Sequence, residues 1–166
     1  AQAAAQSMID RFSDDSYGAK LLQGNKNFSA QKLLIIASII QAESTNADFS
    51  KVSRVIYNRL KIGMPLQMDS TVHYIMKLRG EIFLSSKSTL INSPYNTYRL
   101  IGLPPGPISI PDPRVMDKVL NLEKHNYLYF CAKEDFSGSH NFAVSYSEHL
   151  QNAAKFQKAL DDHKIY

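Results

Sequence analysis

Tryptophan is absent from this chain and cysteine nearly so, with Cys131 alone among 166 residues. A single thiol excludes an internal disulfide. Its setting, Tyr127-Leu128-Tyr129-Phe130-Cys131-Ala132, marks it as a buried small hydrophobe and not a nucleophile. No second cysteine or histidine stands at ligand spacing from another, so no metal site is expected. The seven glycines nowhere form a phosphate-binding loop, and there is no Gly-x-Ser-x-Gly elbow. Metal, nucleotide and serine-hydrolase chemistry fall together, and no cofactor is expected. No apolar run reaches the roughly 18 to 20 residues that span a bilayer. Charge of one sign is scarce too: 19 basic residues against 15 acidic leave +4, without long like-charged runs. That permits weak attraction to an anionic partner, and a nucleic-acid role has nothing further to rest on.

What is present suits one globular domain, since 44% of the residues are hydrophobic and 20% charged. The pattern reads as α+β: a mostly helical single domain with a C-terminal β-hairpin or small sheet and a long Pro-rich loop. Residues 3–13 read as a helix with Ala5, Met8, Ile9 and Phe12 on one side, followed by a polar link. We divide the chain into 1–27, an N-terminal helix and linker, and 28–166, the main domain. The opening Ala1 to Gln6 lacks the marks of a signal peptide and reads as the remnant of a longer chain. Ser29 is placed to cap a helix ending near Glu43, with Phe28 as a hydrophobic staple. A second helix from Asp48 carries Val52, Val55, Ile56 and Leu60 until Gly63 stops it, and a third starts at Asp69-Ser70-Thr71. Six of the seven prolines fall between Pro94 and Pro113, and Asp112-Pro113 restarts a helix. Residues 127–132 and 140–145 suggest the hairpin, and a last helix runs from about Ser147 to Asp161.

Glu43 stands out. It ends the most apolar stretch of the chain, Leu33 to Glu43, and in a helix its neighbours three, four and seven residues back are Ile40, Ile39 and Ile36. Burial disfavours the charged carboxylate and raises its pKa, which makes a proton donor at neutral pH. The short turn after it leaves Glu43 at the mouth of a cleft. Asp48, Asp69 and Asp112 read as helix caps, so a second catalytic carboxylate is not evident. One acid suffices only where the substrate supplies its own nucleophile.

Other polar clusters surround this candidate. Ser93 to Tyr98 offers Tyr95, Asn96 and Tyr98, neutral hydrogen-bonding groups and flat faces of the kind sugars require. The stiff ridge Pro104-Pro105-Gly106-Pro107 is suited to one wall of a groove. Gln67 to Thr71 and Gly138 to Phe142, the latter with His140 at the start of a strand, complete the set.

Several ordered blocks then carry a resemblance: Ile39 to Ser44, Val55 to Val72, Ser93 to Tyr98, Gly102 to Ile108 and Gly138 to Phe142. Together they resemble the YceG-like family of endolytic murein transglycosylases, over roughly Leu33 to Leu160, making 28–166 a YceG-like catalytic domain. The resemblance implies non-hydrolytic cleavage of peptidoglycan glycan strands between N-acetylmuramic acid and N-acetylglucosamine, leaving a 1,6-anhydro end. It implies Glu43 as acid and then base, and Gln67, Asp69, Thr71, Tyr95, Asn96, Tyr98 and His140 as groups that hold the sugar or orient Glu43. Gln41 stands where a glutamate is frequent, Ser70 replaces a proline common in the family, and Ser139 and Asn141 replace a glycine and a threonine. The resemblance further implies a parent protein with one membrane anchor upstream, on the wall-facing (periplasmic) side of the bacterial cytoplasmic membrane, with peptidoglycan synthases (penicillin-binding proteins) as partners. Two other readings stay open: a hydrolytic muramidase using Glu43 and Asp69, and a catalytically silent glycan-binding or scaffold module.

Overall fold

The structure, a computed structural model, describes residues 28–45, 47–78 and 87–164. The expected helix at 3–13 and the division at residue 27 lie outside the described residues. Within them the order is α1 (Ala30–Glu43), α2 (Phe49–Lys61), α3 (Asp69–Leu78), a 3-10 turn (Ser88–Leu90), α4 (Pro113–Leu120), β1 (Tyr129–Ala132), β2 (His140–Ala143) and α5 (Tyr146–Asp162). The α+β, mainly helical reading holds. No helix among the described residues is long and apolar enough to cross a membrane.

The apolar run makes α1 the central helix. Leu33 to Ile40 are buried without interruption because α2, α3 and α4 all pack around it. Val52 and Ile56 of α2, Leu66 and Met68 after it, and Val115, Met116 and Val119 of α4 fill the same core. Each such side chain contributes about 1.5 to 3 kcal/mol by leaving water. Ser29 does occupy the cap position of α1, yet its side chain makes no capping bond; Phe28 beside it meets Tyr57 edge-on, with ring centroids 4.6 Å apart.

Gly63 ends α2 as expected. Its φ of +67° permits a closing turn in which the Met64 N–H donates to the Arg59 carbonyl at 2.9 Å and the Gly63 N–H to that of Leu60 at 3.3 Å. Asp112 caps α4 by accepting the Arg114 N–H at 2.8 Å, with Pro113 in the first turn.

The hairpin forms but is shorter than the sequence suggests. β1 and β2 are antiparallel, with Phe130 opposite Phe142 and Ala132 opposite His140. α5 starts one residue earlier than expected, on a capping box between Ser145 and Glu148, and packs on the sheet without burying any residue of its own.

Candidate active site

The end of α1 meets the start of α3. The backbone N–H of Ser70, one of the unpaired donors of a helix's first turn, donates to Glu43 Oε1 at 2.7 Å. Glu43 is partly exposed, while Ile36, Ile39 and Ile40 behind it are fully buried. Burial pushes its pKa up. Ser70 works against that, through its hydroxyl and then its N–H; the charge of Asp69 adds to it, and His140 opposes it more weakly. The net direction is upward, as the isoleucine face predicts.

Glu43 lines a cleft of about 500 Å³, within the usual range for a ligand site. Gln67, Asp69, Tyr98 and His140 line it with Glu43, so five of the expected site residues meet there. Gln67 is held at φ +49°, a strained backbone for a residue with a side chain, by its N–H bond to the Thr97 carbonyl at 3.0 Å. The Tyr98 hydroxyl donates to Asp69 Oδ1 at 2.5 Å. Burial, and then this bond, push the Tyr98 phenol well above its ordinary range.

His140 is anchored by a residue the sequence points elsewhere. Asp48 occupies the cap position of α2, yet its side chain makes no capping bond. Oδ2 instead accepts the His140 backbone N–H at 2.8 Å and pairs with its Nδ1 at 3.1 Å. With Nδ1 turned to a carboxylate, Nε2 is the ring atom left for a ligand. The turn before it is tight. Gly138 has φ +77°, and a Cβ there would stand 3.3 Å from the Thr45 side chain.

Three expected site residues lie elsewhere. Thr71 and Asn96 are fully buried. Thr71 Oγ1 bonds to the Met68 carbonyl at 2.7 Å and to Thr97 Oγ1 at 2.9 Å. Asn96 Nδ2 donates to the carbonyls of Thr89 and Ile91, at 2.9 and 2.8 Å, and Oδ1 accepts the Tyr98 N–H at 3.0 Å. Both shape the loops that carry Gln67, Asp69 and Tyr98, and neither faces the cleft. Tyr95 packs on Tyr74, ring centroids 5.0 Å apart, and is not among the cleft residues.

The Pro-rich ridge is not a wall of this cleft either. It is pinned to α1: the Ile108 N–H donates to Ser38 Oγ at 3.0 Å and the Asp112 N–H to Gln41 Oε1 at 2.6 Å. Prolines carry no N–H, and two of the donors left in this segment are met by polar side chains on α1.

The opposite wall comes from residues outside the expected set: Arg59 of α2, Tyr129 to Ala132 of β1, and Tyr146, His149 and Phe156 of α5. Cys131 is thus half-buried at the cleft, its thiol pushed up by burial and so a poor nucleophile. The aromatic richness of 127–132 was the available signal, but the same pattern describes a core-edge strand.

The chain is similar to known proteins over most of its length. The chain is 42% identical over 129 residues to a protein of Bacillus subtilis named endolytic murein transglycosylase; that stretch is 77% of this chain and 35% of the relative. A Streptococcus pneumoniae protein of the same name is 35% identical over 136 residues, 79% of this chain and 24% of its own. A solved structure of a YceG-like protein from Listeria monocytogenes superposes with a TM-score of 0.69 at 38% identity, covering 80% of this chain and 43% of that one. The chain therefore spans about a quarter to a third of the curated relatives' length. The sequence pattern of the YceG-like family matches residues 1–155. With the match running through Glu43 and every strand and helix that lines the cleft but the end of α5, the chain belongs to the YceG-like family.

Proposed function

We propose that this domain is an endolytic peptidoglycan lytic transglycosylase and that Glu43 is its catalytic acid and base. The observation that carries the reading is a partly buried carboxyl of raised pKa at the edge of an open cleft. The relatives named endolytic murein transglycosylase support the substrate class.

Glu43, protonated, gives its proton to the glycosidic oxygen as the bond from that oxygen to muramyl C1 breaks. The muramyl C6 hydroxyl oxygen then bonds to C1, and its proton passes to the Glu43 carboxylate. The acid is restored, an anhydro ring closes the strand end, and no water is consumed. Gln67, Asp69, Tyr98 and His140 hold the sugars beside Glu43, with Asp48 fixing the imidazole. This assigns the domain to the wall-facing side of the bacterial cytoplasmic membrane, with peptidoglycan synthases as neighbours.

Purified sacculi incubated with the wild-type chain should release anhydro-muropeptides, and Glu43→Gln should fold normally and release at least about a hundredfold less, the scale of a lost general acid. Products one water heavier would instead mean hydrolysis, with Asp69 as the second carboxylate. Undiminished release by Glu43→Gln would refute the assignment.

A further inference from the structure

The far wall of the cleft is aromatic. Tyr146, His149 and Phe156 of α5 line it, at spacings of three and seven residues that put all three on one side of the helix. Most rings here already have close partners. Tyr129 of β1 stacks on His149, with centroids 5.4 Å and planes 21° apart, and the Arg59 guanidinium lies 5.4 Å from the Tyr129 centroid. Phe130 meets His140 edge-on at 5.3 Å, and Phe156 packs on Phe136 at 6.0 Å. Tyr146 meets Tyr129 and His149 only at tilts of 50° and 37°, with centroids 5.7 and 6.1 Å away, and is still 58% exposed. Its ring therefore keeps open surface at the cleft. Its backbone is nevertheless fixed, because Tyr146 opens α5 directly after the capping box. There Ser145 Oγ accepts the Glu148 N–H at 3.2 Å, and Glu148 Oε2 accepts the N–H groups of Ser145 and Val144 at 3.2 and 3.1 Å.

This wall is set apart from the acid. Tyr98 feels the charges of Glu43 and Arg59, Arg59 feels Tyr98 and Tyr129, and His149 feels Arg59 rather than Glu43 or Asp69. Glu43, Tyr98, Arg59, Tyr129 and then the α5 rings thus follow one another along the cleft. Arg59 is held in the middle of this series, Nε donating to the Leu128 carbonyl at 2.6 Å and Nη1 to that of Leu66 at 2.7 Å. Burial, and then the Arg59 charge, hold the His149 imidazole below its ordinary range, so it is neutral near neutral pH. A neutral polar ring beside an open aromatic face suits an uncharged, hydroxyl-rich ligand, which stacks through its C–H face and hydrogen-bonds at its rim.

Resting on the glycan reading above, we infer that Tyr146 and His149 form a second sugar subsite, at which a pyranose ring outside the pair joined by the cleaved bond stacks on the Tyr146 ring. The strand then lies along the cleft from Glu43 to α5. A strand end too short to reach Tyr146 leaves this subsite empty, so cleavage favours bonds set back from that end.

The test is cleavage of a tetrasaccharide, a hexasaccharide and an octasaccharide of alternating muramyl and glucosaminyl units with their stem peptides attached. The kcat/KM should rise about tenfold at one step in length, the upper end of what one aromatic contact contributes. Tyr146→Ala should shrink that step to within about twofold, and the loss should lie in KM, because a contact remote from the reacting atoms binds ground state and transition state alike. Tyr146→Phe keeps the ring and should keep the step. Tyr146 is exposed, so its replacement leaves the core intact. The step should also persist in the same oligosaccharides stripped of their stem peptides. Cleavage of no probe would remove the glycan reading and the inference with it. With cleavage present, no step in length, or a step that survives Tyr146→Ala, would overturn the inference and leave the glycan reading standing. A fall in kcat at every length would place the ring on the cleaved pair, and a step that vanishes with the stem peptides would give Tyr146 to the peptide; either result would also overturn it.

Discussion

At the scale of single residues, Ser70 is the change with the most direct chemical consequence. A proline at this place, as the family resemblance implies, would have no N–H to give. In this chain the Ser70 N–H is present and bonds to Glu43 at 2.7 Å, stabilising the carboxylate and restraining the upward push of burial. Ser70→Pro should therefore raise the Glu43 pKa further. Under the proposed mechanism the protonated acid starts the reaction, so activity declines as pH rises through that pKa, and the variant's alkaline limb should move to higher pH. Ser70→Ala keeps the N–H but removes the hydroxyl, which also holds the Glu43 pKa down, so its limb should move in the same direction. Proline is tolerated in a helix's first turn, so both variants should fold. A pH–rate profile on sacculi decides it, and coincident limbs for Ser70→Pro and wild type would count against the hydrogen bond as a tuning device.

At the scale of elements, the loop that presents Tyr98 depends on Asn96 more than on any proline. One buried amide satisfies two carbonyls and one N–H. Asn96→Ala withdraws all three and should cost about 3 kcal/mol, read as a lower urea midpoint. A change under about 0.5 kcal/mol would mean that the loop holds itself. Asn96 also shows where sequence reading stops. Residue type and position beside two tyrosines are the same for a sugar-binding amide and a loop clamp, and only burial tells them apart. Glu43 was legible because three isoleucines at helical spacing fix its surroundings locally. Helix α4 was legible because Asp112-Pro113 is a local signal. Asp48 was not: the residue that looks like a cap for the next helix spends its carboxylate on His140, a partner no nearby residue announces. The hairpin wall with Arg59 was hidden for the same reason, since its contacts join segments roughly 70 residues apart.

At the scale of the whole molecule, the two sides of the cleft are built differently. α1 is wrapped by three helices and fully buried over eight residues, whereas α5 buries none and leans on a two-stranded sheet. Stability is unevenly distributed in such a structure, and openings begin where few apolar contacts hold the backbone. Amide hydrogens in the middle of α5 should exchange on the order of a hundredfold faster than those of Ile36 to Ile40, an opening easier by ~2.7 kcal/mol. Equal protection would show that the hairpin and α5 open only with the core.

The bond between His140 and Asp48 ties positions 92 residues apart. A chain emerging from the ribosome holds Glu43 and Asp48 long before it holds the strand that closes over them. The early chain can bury its isoleucines and finish α1 while the site is still a bare carboxyl on a helix end. Closing so long a loop has an entropic cost that local helix formation does not share. Competence to grip a ligand is thus acquired late in the life of the nascent polypeptide.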